Sequence, residues 1–130
     1  MRLALLDRPP TTLFVCVTCR AGRDDAQEPR PGAQLFESLR QGAEGLAVVP
    51  VECLSNCQRG CTAAVSAPGK WTYVIGQLDP EQHAADMLAF ARLHREATDG
   101  LPAWRSRPEH VRKNTIARIP PLPVVAKEIA

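Results

Sequence analysis

Five cysteines are the residues of this 130-residue chain whose types and spacing can do chemistry. Two stand in CVTC at residues 16 to 19, and three stand in CLSNCQRGC at residues 53 to 61. Thiolates act as nucleophiles and as ligands of zinc and of iron–sulfur clusters. An odd count leaves at least one thiol outside any intramolecular disulfide set. The pattern leaves buried thiols, a redox dithiol, a zinc site and a [2Fe-2S] site open.

The elements around CVTC must deliver its cysteines to a site. TTLFVCV at residues 11 to 17 is β-branched and apolar, which predicts a strand. Apolar residues at helical spacing predict a helix from about residue 32 to 41. LAVVPV at residues 46 to 51 predicts a second strand, and Pro50 indicates an edge position or a strand end. This strand–helix–strand unit predicts two parallel neighbouring strands.

The second half of the chain predicts a hairpin and a helix. Residues 62 to 67 and 71 to 76 are short strand-like runs joined by Pro-Gly-Lys, a turn sequence typical of hairpins. Asp79 followed by Pro80 and Glu81 predicts a helix start, because Asp can cap and Pro fits the first helical position.

The order of elements predicts the fold class. Strand, helix, strand, hairpin and helix form the minimal thioredoxin-like α/β arrangement, a βαβ–ββα core with a mixed four-stranded sheet. The cysteine nonapeptide occupies the place of the usual helix between the halves. We expect one domain over residues 1–100. Residues 101–130 contain five prolines and are expected to form an irregular tail packed on the domain or on a partner.

The predicted strands bring the two cysteine pairs together. Cys16 and Cys19 lie at the end of the first strand, and Cys53 and Cys57 lie just past the end of the second. Because parallel strands end at the same rim of a sheet, both pairs are expected there, where such folds place their sites. Four thiolates suit either zinc or a [2Fe-2S] cluster.

Three alternatives to a cluster are weighed against this expectation. Buried thiols explain Cys16, between two valines, but not the polar nonapeptide. A redox dithiol in CVTC needs a helix start directly after it, whereas RAGRDD follows. Zinc suits the C-x2-C half, although structural zinc usually organises domains too small to build a core.

The sequence also resembles the thioredoxin-like [2Fe-2S] ferredoxins over about residues 11 to 120. The shared features are FVCV, a helix, C-x3-C, a Pro-Gly hairpin and GKWTYVIGQLDPEQ. TLFVCVTCR together with ECLSNCQRGCTAAVSAPGKWTY resembles more closely a bacterial branch of small metal-binding proteins associated with cobalamin biosynthesis. The resemblance implies a thioredoxin-like fold, a [2Fe-2S] cofactor and a homodimer.

The resemblance also implies a ligand set. Carried over, the ligands are Cys16, a loop cysteine, Cys53 and Cys57. The loop position is taken by Cys19, which lies closer to the first ligand than in the family. The family has Gly-Pro after C-x3-C, where this chain has Cys61, so Cys61 is the alternative to Cys19.

The expected function is therefore one-electron transfer between a reductase and an acceptor enzyme, without enzymatic activity of its own. The resemblance suggests cobalamin biosynthesis, at cobalt reduction, as the pathway. A zinc- or cobalt-binding module without a redox role is the first alternative, and a thiol–disulfide oxidoreductase is the second.

Composition and charge limit where the protein is expected to act and which partners it is expected to bind. The net charge of +2, without basic runs interleaved with aromatics, predicts no nucleic-acid partner. The start, MRLALLDRPP, lacks the apolar length of a secretory signal, and no run reaches membrane-spanning length. We therefore expect a cytoplasmic protein. His83, His94 and His110 lie far from the cysteines in sequence and are expected to be solvated rather than Rieske-type ligands.

Overall fold

A computed structural model describes residues 11–19, 30–55 and 60–122. The last eight residues of the predicted tail and Cys57 lie outside the described residues. The elements in chain order are β1 Thr12–Cys16, α1 Pro31–Gln41, β2 Ala47–Val51, β3 Cys61–Ser66, β4 Thr72–Leu78, α2 Ala84–Glu96, a 3-10 turn Trp104–Ser106, α3 Glu109–Asn114 and β5 Thr115–Ile119. None of the helices in these ranges is long and apolar enough to cross a lipid bilayer.

The five strands form one sheet in the order β2-β1-β3-β4-β5. β1 and β2 run parallel, and the other neighbours pair antiparallel. The predicted βαβ unit and hairpin are therefore confirmed. Pro50 lies in β2, which is an edge strand, so its missing N–H removes no bond from the interior of the sheet.

The core lies on one face of the sheet. Alternate residues of β1, β3 and β4 point toward the helices, because successive side chains of a strand face opposite sides. The fully buried side chains on this face are Leu13, Val15, Ala63, Val65, Tyr73, Ile75, Leu35, Leu39, Met87, Phe90, Ala91 and Val111. The opposite face is more open: Val49 and Ile119 expose 37% and 49% of their surface.

The prediction of a four-stranded sheet and an irregular tail is wrong for residues 104–119. This segment forms a 3-10 turn, α3 and β5, and β5 pairs with β4 as a fifth strand. Pro108 and Pro120 lie at the boundaries of these elements and do not interrupt them. Pro108 caps α3, where no N–H is needed, and Pro120 follows the last residue of β5.

The predicted helix start at Asp79 is a turn that precedes α2. The Asp79 carboxylate accepts the backbone N–H groups of Glu81 at 3.0 Å and Gln82 at 2.9 Å. The helix itself begins at Ala84. Asp79 therefore closes this turn and does not cap α2, whose N-cap residue is His83, so the prediction of a helix start at Asp79 is wrong.

One histidine belongs to the core and not to the surface. His94 is fully buried, which corrects the expectation that it is solvated. Its Nε2–H donates to the Trp71 carbonyl at 2.7 Å, so its Nδ1 accepts the Thr11 hydroxyl at 3.0 Å. Burial lowers the pKa of His94, against the raising effect of the Trp71 carbonyl. The neutral ring thus joins α2 to the sheet.

Candidate functional site

The described cysteines gather at one end of the sheet, which we call the cysteine end: Cys16, Cys19, Cys53 and Cys61. Cys16 ends β1 and pairs with Val51, the last residue of β2. Cys53 follows two residues later, and Cys61 is the first residue of β3. The parallel pairing of β1 with β2 brings these segments together, as the sequence indicates for Cys16 and Cys53.

A tight turn after β1 holds Cys16 against the chain that follows β2. The Cys16 Sγ lies 3.5 Å from the Glu52 carbonyl oxygen, which also accepts the Thr18 hydroxyl. The Arg30 guanidinium donates to the Thr18 carbonyl at 3.2 Å. This places a positive charge beside the turn.

The first turn of α1 abuts the same cysteine turn. The Gly32 N–H donates to the Cys19 carbonyl at 3.1 Å. A Cβ on Gly32 would lie 2.1 Å from the Cys16 carbonyl oxygen, so only glycine permits this approach. The N-terminal end of a helix carries a partial positive charge that stabilises nearby anions. The positive end of the α1 dipole therefore faces the cysteine turn.

Cys19 and Cys61 form a buried pair. Their side chains expose 1% and 0% of their surface, and they are hydrogen-bonded to each other. The Cys19 Sγ also donates to the Gly60 carbonyl at 3.2 Å. The hydrogen bond with Cys19, followed by burial, raises the pKa of the Cys61 thiol far above its ordinary range.

Cys53 differs from the other three described cysteines because it is exposed. The Ser55 N–H donates to its Sγ at 3.1 Å. Ser55 adopts a left-handed backbone with φ of 58°, a conformation that costs energy in a residue with a Cβ. The loop is therefore shaped so that a backbone donor faces the Cys53 sulfur.

The donor set fits a [2Fe-2S] cluster in its chemistry. Every candidate ligand gathered here is sulfur, the donor that such clusters take. Within the described part of the chain, no three Cys, His, Asp or Glu side chains are arranged to hold a single metal ion. A [2Fe-2S] cluster needs two thiolates on each of two irons. Two cysteine-bearing loops at one rim can provide such pairs.

Sequence reasoning missed the residues that support the cysteines. Arg30 contributes a positive charge beside the cysteine turn. Gly32 permits the close approach of two backbone segments, and Ser55 donates its N–H to the Cys53 sulfur. The PRPG run at residues 29 to 32 was a usable signal. Proline followed by glycine at a helix start indicates a tight approach to another backbone segment.

A family model matches residues 13–121 of the chain. The chain belongs to the family described as "Protein of unknown function (DUF1636)". A comparison with curated proteins finds no match. The family match spans the described sheet from β1 to β5. It therefore includes α3 and β5, the elements that the sequence analysis assigned to an irregular tail.

Solved structures show what fold this family member has. It is similar to a thioredoxin-like [2Fe-2S] ferredoxin from Aquifex aeolicus, with a TM-score of 0.55 and 16% identity over 84% of this chain and 92% of that chain. A cysteine-to-serine variant of the thioredoxin-like [2Fe-2S] ferredoxin from the same organism gives a TM-score of 0.51 at 17% identity, over 82% and 98%. The predicted thioredoxin-like fold class is confirmed.

Proposed function

We propose that this chain binds a [2Fe-2S] cluster at the cysteine end and acts as a one-electron carrier. The proposed ligands are Cys16, Cys19, Cys53 and Cys57, with Cys61 as the alternative to Cys19. The observation that supports the proposal is the meeting of the described cysteines at one rim. The fold in which they meet is similar to that of a thioredoxin-like [2Fe-2S] ferredoxin.

The surroundings of the cysteines support thiolate ligands. The first turn of α1 and the Arg30 guanidinium bring positive charge to the turn that holds Cys16 and Cys19. The Ser55 N–H donates to the Cys53 sulfur. Hydrogen bonds to ligand sulfurs tune the potential of such clusters. The cluster would supply the one-electron chemistry, and the chain would supply ligands, burial and hydrogen bonds.

The proposed partners are a reductase that delivers the electron and an acceptor enzyme that takes it, in the cytoplasm. The chain itself would catalyse no reaction. Cys53 supports this role, because it is the exposed member of the described cysteines. An accessible edge of the site lets a partner approach it through the small, transient interfaces of redox complexes.

The deciding experiment is purification without oxygen, followed by iron and acid-labile sulfide analysis. We expect about two irons and two sulfides per chain, as the cluster requires, and a visible absorption that dithionite bleaches. Colourless protein with one zinc per chain would contradict the proposal and support a zinc-binding module. Disulfide reductase activity that disappears in Cys19→Ser would instead support a thiol oxidoreductase.

A matched pair of variants separates ligand loss from unfolding. Cys53 is exposed, so Cys53→Ala removes a sulfur without opening a cavity in the core. Ser66→Ala, on a half-buried strand position near the opposite end of the sheet, is the control. We expect Cys53→Ala to lose iron and sulfide while its circular dichroism stays that of the parent. The control should retain both.

We also propose that the carrier serves cobalamin biosynthesis, at cobalt reduction. The support is the sequence resemblance of the two cysteine segments alone. A strain that lacks the gene is expected to make less cobalamin when cobalt must be reduced. Normal cobalamin production in that strain would contradict the assignment and leave the electron-carrier proposal standing.

A homodimer is proposed as the working assembly. The open face of the sheet supports this, because Val49 and Ile119 are exposed large apolar residues on or beside it. Sedimentation at increasing protein concentration is expected to show a monomer–dimer equilibrium. A monomer at every concentration used for electron transfer would contradict the proposal.

A further inference from the structure

Charge is unevenly distributed over the described chain. Residues 104–122 carry five Arg or Lys and one Glu, a net charge of +4, whereas the described residues before them carry five Arg or Lys and eight Asp or Glu, a net charge of −3. The one carboxylate of the positive segment, on Glu109, forms an ion pair with Lys113 at 2.7 Å. The ion pairs of the described residues leave the other four cations of this segment without a carboxylate: Arg105, Arg107, Arg112 and Arg118.

Three of these arginines lie beside two aromatic rings. The guanidinium carbon of Arg107 lies 5.4 Å from the ring centroid of Tyr73 and 5.6 Å from that of Trp104. The guanidinium carbon of Arg112 lies 6.0 Å from the same Trp104 centroid. Arg118 stands opposite Tyr73 in the pairing of β4 with β5, so the two side chains share one face of the sheet. Trp104, Arg107, Arg112 and Arg118 therefore form one continuous surface, which we call the basic surface.

The basic surface is held in place by backbone carbonyls. Arg107 donates its Nε–H and Nη2–H to the Pro102 carbonyl at 3.0 and 2.8 Å, and Arg112 donates to the Arg107 carbonyl at 2.9 Å. The Trp104 ring beside them exposes 60% of its surface. Tryptophan and arginine are enriched among the residues that contribute most of the binding energy at protein interfaces. The basic surface thus presents an exposed aromatic ring together with positioned guanidinium groups.

We propose that the basic surface docks an acidic surface of a partner protein. Carboxylates of the partner pair with Arg112 and Arg118, because a planar guanidinium group can bind a carboxylate through two parallel hydrogen bonds. Apolar groups of the partner cover the Trp104 ring. The basic surface borders Tyr73, the second residue of β4, whereas Cys61 pairs with the last residue of that strand. It therefore lies away from the cysteine end, and the proposal does not depend on the proposed cluster.

A protein partner fits the basic surface better than a nucleic acid does. Single-stranded nucleic acids bind by stacking successive bases on several aromatic rings. Trp104 is the one exposed aromatic residue of the described chain, and two guanidinium groups already lie over its ring. Complementary charge, which carboxylates supply, is therefore the main feature by which a partner can recognise this surface.

Titration of the full chain with an octaglutamate peptide tests the proposal. We expect the nuclear magnetic resonance signal of the Trp104 indole N–H to shift, and binding to weaken as salt is added. Trp104→Ala and Arg118→Gln should each weaken binding about threefold to tenfold. Both side chains are exposed, so neither substitution opens a cavity in the core. Arg40→Gln removes an equal charge from the exposed face of α1 and is the control, with unchanged binding expected.

Several results would overturn the proposal. One is the absence of octaglutamate binding, and another is an equal loss of binding in Arg40→Gln and Arg118→Gln. Tighter binding of octathymidylate would assign the basic surface to single-stranded nucleic acid, and tighter binding of phosphatidylserine vesicles would assign it to a membrane. These titrations need no iron, so a chain that holds no cluster but binds octaglutamate as expected would contradict the proposed function alone.

Discussion

The two ends of the sheet are built from different kinds of polar contact. At the histidine end, formed by Thr11, Trp71 and His94, a buried ring makes two direct hydrogen bonds at 3.0 and 2.7 Å. At the cysteine end, sulfur atoms make longer contacts with carbonyls at 3.2 and 3.5 Å. Sulfur is a weak hydrogen-bond partner but a strong ligand of soft metals. The histidine end therefore stabilises the fold, whereas the sulfurs of the cysteine end remain able to bind a metal.

Gly32→Ala should lower the stability most, because the added methyl group would displace the backbone of the cysteine end. The new Cβ would lie 2.1 Å from the Cys16 carbonyl oxygen, and backbone cannot yield as a flexible side chain can. We expect the free energy of unfolding to fall by about 3–5 kcal/mol and iron binding to be lost. Chemical denaturation and iron analysis measure the two effects.

Gly42→Ala is the matched control at the other end of α1. Its Cβ would meet only the Leu88 Cδ1 atom, at 2.8 Å, which is the tip of a side chain that can rotate. The expected cost is below about 1 kcal/mol. If Gly32→Ala and Gly42→Ala lose the same stability and the same amount of iron, the close approach of α1 to the cysteine turn is not what holds the site.

His94→Ala tests the opposite end of the comparison. The substitution leaves a buried cavity and removes the partners of the Thr11 hydroxyl and the Trp71 carbonyl. We expect a loss of about 3 kcal/mol in the free energy of unfolding. The iron content of the folded fraction should not change, because both hydrogen bonds of the ring lie at the histidine end. Loss of iron from folded His94→Ala would contradict the division of roles between the ends.

The same residue predicts a dependence on pH. Burial lowers the folded-state pKa of His94 below its unfolded value of about 6.5. Between these two pKa values the unfolded chain binds more protons, so stability is full above about pH 6.5 and is lost as the pH falls. Denaturation curves at several pH values should show this loss. His94→Gln, which retains an N–H donor but does not titrate, should show less of it.

The comparison also explains how much the sequence could predict. The succession of β1, α1, β2 and the β3–β4 hairpin along the chain follows from local patterns, and so does the position of Cys16, because alternation and turn residues are local signals. The burial of His94 depends on contacts with Thr11 and Trp71, which are distant in sequence. The Cys19–Cys61 contact likewise joins the turn after β1 to the start of β3, which are distant in sequence. No local sequence pattern predicts either contact.

Lys70→Met should have a smaller effect at the histidine end. The Lys70 Nζ donates to the His94 carbonyl at 3.1 Å and to the Arg95 carbonyl at 2.7 Å, in the last turn of α2. A cation at this position satisfies carbonyls that have no partner within the helix and complements the helix dipole. Because Lys70 is only partly buried, we expect a loss of about 1 kcal/mol. Added salt should reduce the difference in melting temperature between the parent protein and Lys70→Met.

Tyr73→Phe should have the smallest effect, and its sign is opposite. Tyr73 is the second residue of β4, beside the histidine end, and its ring packs edge-on against Phe90 with centroids 5.0 Å apart. Its hydroxyl is buried without a hydrogen-bond partner among the described residues. Removing an unsatisfied hydroxyl and retaining the ring should stabilise the fold by on the order of 1 kcal/mol. A destabilised Tyr73→Phe variant in denaturant titrations would instead show that the hydroxyl is hydrogen-bonded in solution. The satisfied polar contacts of the histidine end would then include the Tyr73 hydroxyl.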